Sequence, residues 1–290
     1  MDKVPIRVDG RFRLGDILGS GSYAVVYRAR NIIKNDAVAI KLEPITHSSS
    51  VQHEYNILKH LEGGVGIPRA LWFGRESTYH ALVLDLLGPS SHRKFSLETV
   101  INLGDQLLSC LEYVHSHNYI HGDIKPQNVV LGLGDLRHTA FIIDFGIAKE
   151  FWNMTTSVHI PFRQGQRLTG TPAFASINNH LGVEPGRRDD LESLTYMLIY
   201  FLQGSLPCSS ILERKVNTTI EDLCRGIPVE FATMLIYTRS LAFSEEPDYN
   251  HLRSLLHTLL CVHEMTPCCI MYPLQLHAGN KLDRDTVGYL

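Results

Sequence analysis

No two cysteines in this 290-residue chain are spaced as C-x-x-C. The six present (Cys110, Cys208, Cys224, Cys261, Cys268 and Cys269) are scattered, so a reducing interior is expected rather than a disulfide framework. Neither H-E-x-x-H nor any Cys/His ligand spacing occurs among the 15 histidines, which read as surface or packing groups. An excess of charge of either sign is also missing. The 27 Lys and Arg stand against 30 Asp and Glu, which leaves no basic field for nucleic acid or an acidic membrane. The longest apolar stretch, Leu194 to Leu202, is far short of the roughly 20 residues that span a bilayer. Met1 to Gly10 lack the apolar core of a signal peptide. Cys268-Cys269-Ile270-Met271 has the form of a prenylation box but is internal, and that signal is read at a C-terminus. These absences predict a cytoplasmic or nuclear protein with no membrane span and no nucleic-acid partner. With 44% hydrophobic residues, the chain can bury a large core without covalent staples.

Along the chain the pattern changes once. Residues 11 to 45 read as strands, because Val25-Val26-Tyr27 and Ala37-Val38-Ala39-Ile40 are β-branched or small and the turns carry Gly, Asn and Asp. Val51, Tyr55, Leu58 and Leu61 have helical spacing, and the Gly63 to Pro68 segment ends that helix. Two further strands are predicted near Ala70 to Phe73 and His80 to Leu84. After the break at Gly88-Pro89-Ser90 the pattern is mostly helical. Helices are predicted over Ser96 to His115, Asp189 to Leu202, Phe231 to Ser240 and Tyr249 to Leu260, the first opening on Ser96 and Glu98 as a cap region.

Four motifs follow one another. Gly19-Ser20-Gly21-Ser22-Tyr23-Ala24-Val25-Val26 fits G-x-G-x-x-G-x-V with Ala24 at the third glycine position. Glycines there let a hairpin backbone approach phosphates. The strand-like residues that follow exclude a dinucleotide-binding turn, which needs a helix, and no Gly-Lys-Ser/Thr makes it a Walker A loop. Val38-Ala39-Ile40-Lys41 ends a strand on a lysine, with Glu54 on the next helix as its candidate partner. Alone, these two are ordinary surface charges. His121-Gly122-Asp123-Ile124-Lys125-Pro126-Gln127-Asn128 fits H-R-D-x-K-x-x-N, against the bland reading of a polar turn. Phe141-Ile142-Ile143-Asp144-Phe145-Gly146 delivers an aspartate from an apolar strand. A lone D-F-G is common, but the ordered set is not.

With these motifs in order, the sequence resembles protein kinases, and more narrowly the casein kinase 1 family. The narrower likeness rests on Gly63-Gly64-Val65-Gly66-Ile67-Pro68, Leu86-Leu87-Gly88-Pro89-Ser90, His159-Ile160-Pro161-Phe162-Arg163, Leu168-Thr169-Gly170-Thr171, Ala175-Ser176-Ile177-Asn178 and the Arg187 to Ser193 segment. It runs from about Arg11 to about Leu260. It implies an α+β, two-lobed kinase fold, with a small β-rich N-lobe (11–85) and a larger, mainly helical C-lobe (86–265). A short extension (1–10) precedes this domain and a short tail (266–290) follows it. It implies ATP and Mg²⁺ as cofactors, and transfer of the γ-phosphoryl group to Ser/Thr hydroxyls of protein substrates near acidic residues. A monomer is expected.

The resemblance also assigns roles. The hairpin residues Gly19, Ser20, Gly21, Ser22, Tyr23, Ala24, Val25 and Val26 would cover the phosphates. Leu18, Val26 and Ala39 would roof the adenine and Val130 would floor it. Leu84 would be the gatekeeper before a hinge at Asp85, Leu86 and Leu87. Lys41 would hold the α- and β-phosphates and pair with Glu54. Asp123 would accept the hydroxyl proton, Lys125 would stabilise the moving phosphoryl group, and Asn128 and Asp144 would ligate Mg²⁺. Asp190 would brace the catalytic loop.

The departures bear on regulation. Relatives carry Arg where Gly122 stands, a Lys where Gln166 stands and an Arg near Ala173. Segments after Ser90 and Pro207 are shortened, and no long autoinhibitory tail is expected. Lys149 and Arg163 remain, with Arg167 as partial compensation. A constitutively active enzyme with a weakened phosphate-reading surface is therefore expected. The competing readings are a pseudokinase-like binding or scaffold module that keeps the nucleotide site, and a small-molecule phosphotransferase. The retention of Lys41, Glu54, Asp123, Asn128 and Asp144 argues against the first, and the casein-kinase segments argue against the second.

Overall fold

The computed structural model describes residues 7–21, 23–45, 49–76, 78–90, 94–206 and 212–264. The expectations placed on Ser22, on the shortened segments after Ser90 and Pro207, and on the tail lie outside the described residues. Elements run in the order β1 (Arg7–Val8), β2 (Phe12–Ser20), β3 (Val25–Asn31), β4 (Ala37–Pro44), α1 (Ser50–His60), β5 (Ala70–Glu76) and β6 (Tyr79–Asp85). Next come α2 (Leu97–Ser116), β7 (Tyr119–Ile120), β8 (Val129–Leu131), β9 (Ala140–Ile142), β10 (Lys149–Glu150), β11 (Trp152–Asn153) and β12 (Val158–His159). The rest is helical: α3 (Ile177–His180), α4 (Arg187–Gln203), α5 (Leu212–Asn217), α6 (Ile220–Leu223), α7 (Val229–Ser240) and α8 (Tyr249–Glu264). Two compact units result. Of the described residues, the first holds 7–90 and 127–148, and the second 94–126 and 149–264.

In the first unit six antiparallel strands lie in the order β1-β2-β3-β4-β6-β5. Strand alternation sorts the side chains of β4. Val38, Ile40 and Leu42 enter a core with Phe12, Ala29, Ala81 and Val83, flanked by Trp72 and Tyr27. Ala39 and Lys41 point to the opposite face. Helix α1 packs on β4, β5 and β6 through its buried Val51, Ile57 and Leu58. Each fully buried aliphatic side chain of this kind contributes about 1.5–3 kcal/mol. The hairpin β8–β9, drawn from the middle of the chain, belongs to this unit.

The second unit is built around α4, which is buried on nearly all sides from Asp189 to Leu202. It packs on α2 and α7, and α8 packs on α2. Ser96 caps α2 by accepting the Thr99 N–H at 3.3 Å. Gly104 on α2 lets the helices close up, since a Cβ there would come within 2.8 Å of Leu256 on α8 and 3.2 Å of Leu198 on α4. No helix among the described residues is long and apolar enough to cross a membrane.

One cluster of polar groups inside this helical core is linked by hydrogen bonds. Glu192 accepts the Tyr196 hydroxyl at 2.7 Å and Arg239 Nε at 3.3 Å, and Arg239 Nη2 donates to the same hydroxyl at 2.7 Å. Burial, together with Glu192, pushes the Tyr196 phenol well above its ordinary range. Removing one partner of such a pair strands the other charge in a low-dielectric interior, at a cost of about 3–5 kcal/mol. Arg239→Met is therefore expected to destabilise the protein by that amount in urea unfolding. A loss under about 1 kcal/mol would show that the pair contributes nothing net.

Candidate active site

The first unit contains an open pocket of about 390 Å³ lined by Val26, Lys41, Glu54, Pro68, Leu84, Asp85, Leu87, Ile143 and Asp144. Seven of these are expected site residues; Pro68 and Ile143 belong to the quoted sequence segments but have no expected role in the site. Strand pairing explains the grouping. Val26 lies opposite Lys41 across β3–β4, and Ala39 lies opposite Leu84 across β4–β6. Leu18, Ala39 and Val130 are buried in the same unit, although none of them lines the pocket. Gly19 and Ser20 end β2, and Val25 begins β3. The turn between them is closed by a bond from the Gly21 N–H to the Ala24 carbonyl at 2.9 Å. Ala24 is buried there while Tyr23 is exposed.

Lys41 is the hub. Its Nζ lies 2.9 Å from Glu54 Oε2 and 2.7 Å from Asp144 Oδ1. The side chain is only 8% exposed, so burial opposes its charge. The two carboxylates outweigh that penalty and hold the ammonium above its ordinary value. Burial pushes the Glu54 carboxyl upward against the pull of Lys41. Its other oxygen accepts the Phe145 N–H at 3.1 Å, which ties α1 to the D-F-G turn.

Asp144 adopts a φ of 68°, a left-handed conformation that Asp tolerates better than most residues. Gly146 follows, and a Cβ there would meet Asp144 Oδ1 at 3.4 Å and Lys41 Nζ at 3.9 Å, ordinary contact distances that leave room for a small side chain. The β8–β9 hairpin brings Asn128 toward Asp144. Val129 pairs with Ile142, and the Ile143 N–H reaches the Asn128 carbonyl at 2.9 Å. Asn128 carries an amide oxygen and Asp144 a carboxylate, both donor types that Mg²⁺ accepts.

The second unit carries the H-G-D-x-K loop. Asp123 Oδ2 lies 2.7 Å from Lys125 Nζ, and its Oδ1 accepts the Thr171 N–H at 2.7 Å. Lys125 also donates to the Thr171 hydroxyl at 2.9 Å. Thr171 was not predicted as a site residue. Asp190, at the start of α4, accepts the His121 and Gly122 N–H groups at 2.7 and 2.8 Å, and lies 2.9 Å from His115 Nε2. Burial works against its charge, yet these bonds keep the carboxyl below its usual range. His115 in turn meets the Tyr249 hydroxyl at 2.6 Å.

Gly122 sits at φ 80°, in the left-handed region that disfavours side chains. The basic positions behave unequally. Lys149 is paired with Glu184, and burial together with Arg163 lowers the pKa of its ammonium. Arg163, Gln166 and Arg167 are exposed.

Gly170 closes against this loop with a φ of 75°, and a Cβ there would lie 2.6 Å from the Gly122 carbonyl and 3.0 Å from Asp123 Oδ1. Left-handed strain alone costs about 1–3 kcal/mol for a non-glycine residue. Gly170→Ala is therefore expected to lower stability by at least that much in thermal or urea unfolding. An unchanged midpoint would mean that the loop can relax around the methyl group.

The geometry has a counterpart among known proteins. The sequence matches the family model described as protein kinase domain over residues 12–271, and that span contains the lysine pocket and the aspartate loop. The chain thus belongs to the protein kinase family.

Proposed function

We propose that this kinase is a serine/threonine kinase of the casein kinase 1 type that uses ATP and Mg²⁺. The single observation that carries this is Lys41 held between Glu54 and Asp144 in a pocket with apolar walls. A buried ammonium kept charged by two carboxylates suits a polyphosphate substrate. Val26, Leu84 and Leu87 offer apolar surface to a base. Asn128 and Asp144 would hold Mg²⁺, which neutralises charge on the phosphates when bound. The acceptor hydroxyl oxygen bonds to the γ-phosphorus, the bond to the β–γ bridging oxygen breaks, and the hydroxyl proton passes to Asp123. Lys125 places positive charge beside that carboxylate.

The narrower family reading is supported by the Ser176-Ile177-Asn178 run. Ser176 caps α3 by accepting the Asn179 N–H at 3.0 Å and donates to Asp189 at 2.6 Å. The sequence thus uses this serine to moor the substrate-side segment to α4. Transfer does not depend on a phosphorylated loop residue in this reading, because Gly122 cannot offer the arginine that would pair with one.

The test is transfer of radiolabelled phosphate from ATP to casein by phosphatase-treated protein. Activity is expected to persist after that treatment. Asp123→Asn and Asp144→Ala are expected to remove nearly all of it while the fold is kept, since both are polar groups outside the apolar core. A folded Asp144→Ala protein with parental turnover would sink the assignment. Nucleotide binding without transfer by the parent protein would favour the scaffold reading.

Substrate choice follows from the basic surface. In this reading Gly122, Gln166 and Ala173 replace three basic groups that would hold a primed phosphate, and Lys149 is already engaged by Glu184. Each missing charged hydrogen bond removes about 1.5–3 kcal/mol of discrimination. Two peptides that differ only by a phosphoserine three positions before the acceptor are expected to differ less than a hundredfold in kcat/KM. Ala173→Arg is expected to widen the gap. A hundredfold or larger preference in the parent would overturn this reading.

A further inference from the structure

Strand β4 meets α1 at a second place besides the Lys41–Glu54 pair. Glu43 is 5% exposed. Its Oε1 accepts the Ser50 hydroxyl at 2.6 Å and the Ser50 N–H at 3.2 Å. Its Oε2 accepts the Ser49 hydroxyl at 2.9 Å and the Val51 N–H at 3.3 Å. The first turn of a helix offers N–H groups without intrahelical partners, and its dipole favours an anion. Glu43 supplies that anion from a neighbouring strand, while Ser49 caps the same turn by accepting the Gln52 N–H at 3.1 Å.

The two meeting points form a ladder. Lys41 and Glu43 alternate onto the same face of β4, about 6.6 Å apart along the strand. Ser50 and Glu54 stand one turn apart on the same side of α1, with a rise of about 6 Å. The rungs therefore match in spacing, with the helix running opposite to the strand. Each rung adds directional bonds to the apolar contacts of Val51, Ile57 and Leu58 that hold α1 on the sheet. Together they fix both the axial position and the rotation of the helix.

We propose that Glu43 is a positioning residue for phosphoryl transfer: its grip on the first turn of α1 sets where Glu54 meets Lys41. The proposal rests on the kinase reading above. It separates Glu43 from an ordinary stability residue, because its effect must pass through Glu54.

The experiment compares Glu43→Ala and Glu43→Gln in the full chain, each alone and combined with Glu54→Gln. It reads kcat, the KM for ATP, and hydrogen exchange at the Phe145 amide, which donates to Glu54. Glu43→Ala is expected to lower kcat at least tenfold with less than a threefold change in KM, and to speed exchange at Phe145. Glu43→Gln keeps an oxygen for the Ser50 hydroxyl and is expected to recover kcat to within about threefold of the parent. In the Glu54→Gln background, Glu43→Ala is expected to add less than a twofold loss. Fully additive losses, or glutamine no better than alanine, would overturn the proposal. If Glu43→Ala does not fold, Ser50→Ala tests the same rung while leaving the Ser49 cap, with a two- to fivefold loss of kcat expected and an unchanged kcat counting against it. If the parent transfers no phosphate, the functional reading fails, and exchange at Phe145 still decides whether Glu43 positions Glu54.

Discussion

A charged ammonium in a largely apolar pocket is the constraint on which the first unit is organised. Taking Lys41 out of water is costly unless anions meet it, and the interior that raises this cost also strengthens its attraction to Glu54 and Asp144. Neither carboxylate is near in sequence for free. Glu54 needs α1 against the sheet, and Asp144 needs the β8–β9 hairpin beneath it. The pair distances of 2.9 and 2.7 Å therefore report that helix, sheet and hairpin are all in register. The Phe145 N–H on Glu54 closes the circuit.

The second unit solves a similar problem with the opposite sign. Asp190 is a buried carboxylate, and its partners are the backbone N–H groups of the loop it supports together with His115. Each bond that stabilises the charge also fixes the path of the chain into Asp123. Loop conformation and charge burial are thus one energetic arrangement, anchored on the helix that is most enclosed by its neighbours.

Much of this was legible in the sequence, for a physical reason. Lys41, Asp123, Asn128 and Asp144 occupy short local patterns, and the long strands and helices carry clear periodicity. The predicted helix over Ser96 to His115 and the observed Leu97–Ser116 differ by a residue at each end. What escaped was non-local or too short to be periodic. Thr171 lies 46 residues from the lysine it bonds, and no pattern around it announces that contact. Pro68 and Ile143 line the pocket only because two separate segments converge. The elements α3, α5 and α6, and strands β7 and β10 to β12, are too brief for hydrophobic spacing to mark. Nor does chain order reveal that 127–148 joins the strand-rich unit.

Gly122 makes one position of the loop costly to alter. Any side chain there would occupy a backbone with φ near 80°, a conformation that costs an L-residue about 1–2 kcal/mol. Glycine holds the turn without that strain while its N–H keeps the bond to Asp190. A basic group introduced at this point would therefore begin with a stability deficit, and only an ion pair strong enough to offset the strain would make it neutral for the fold.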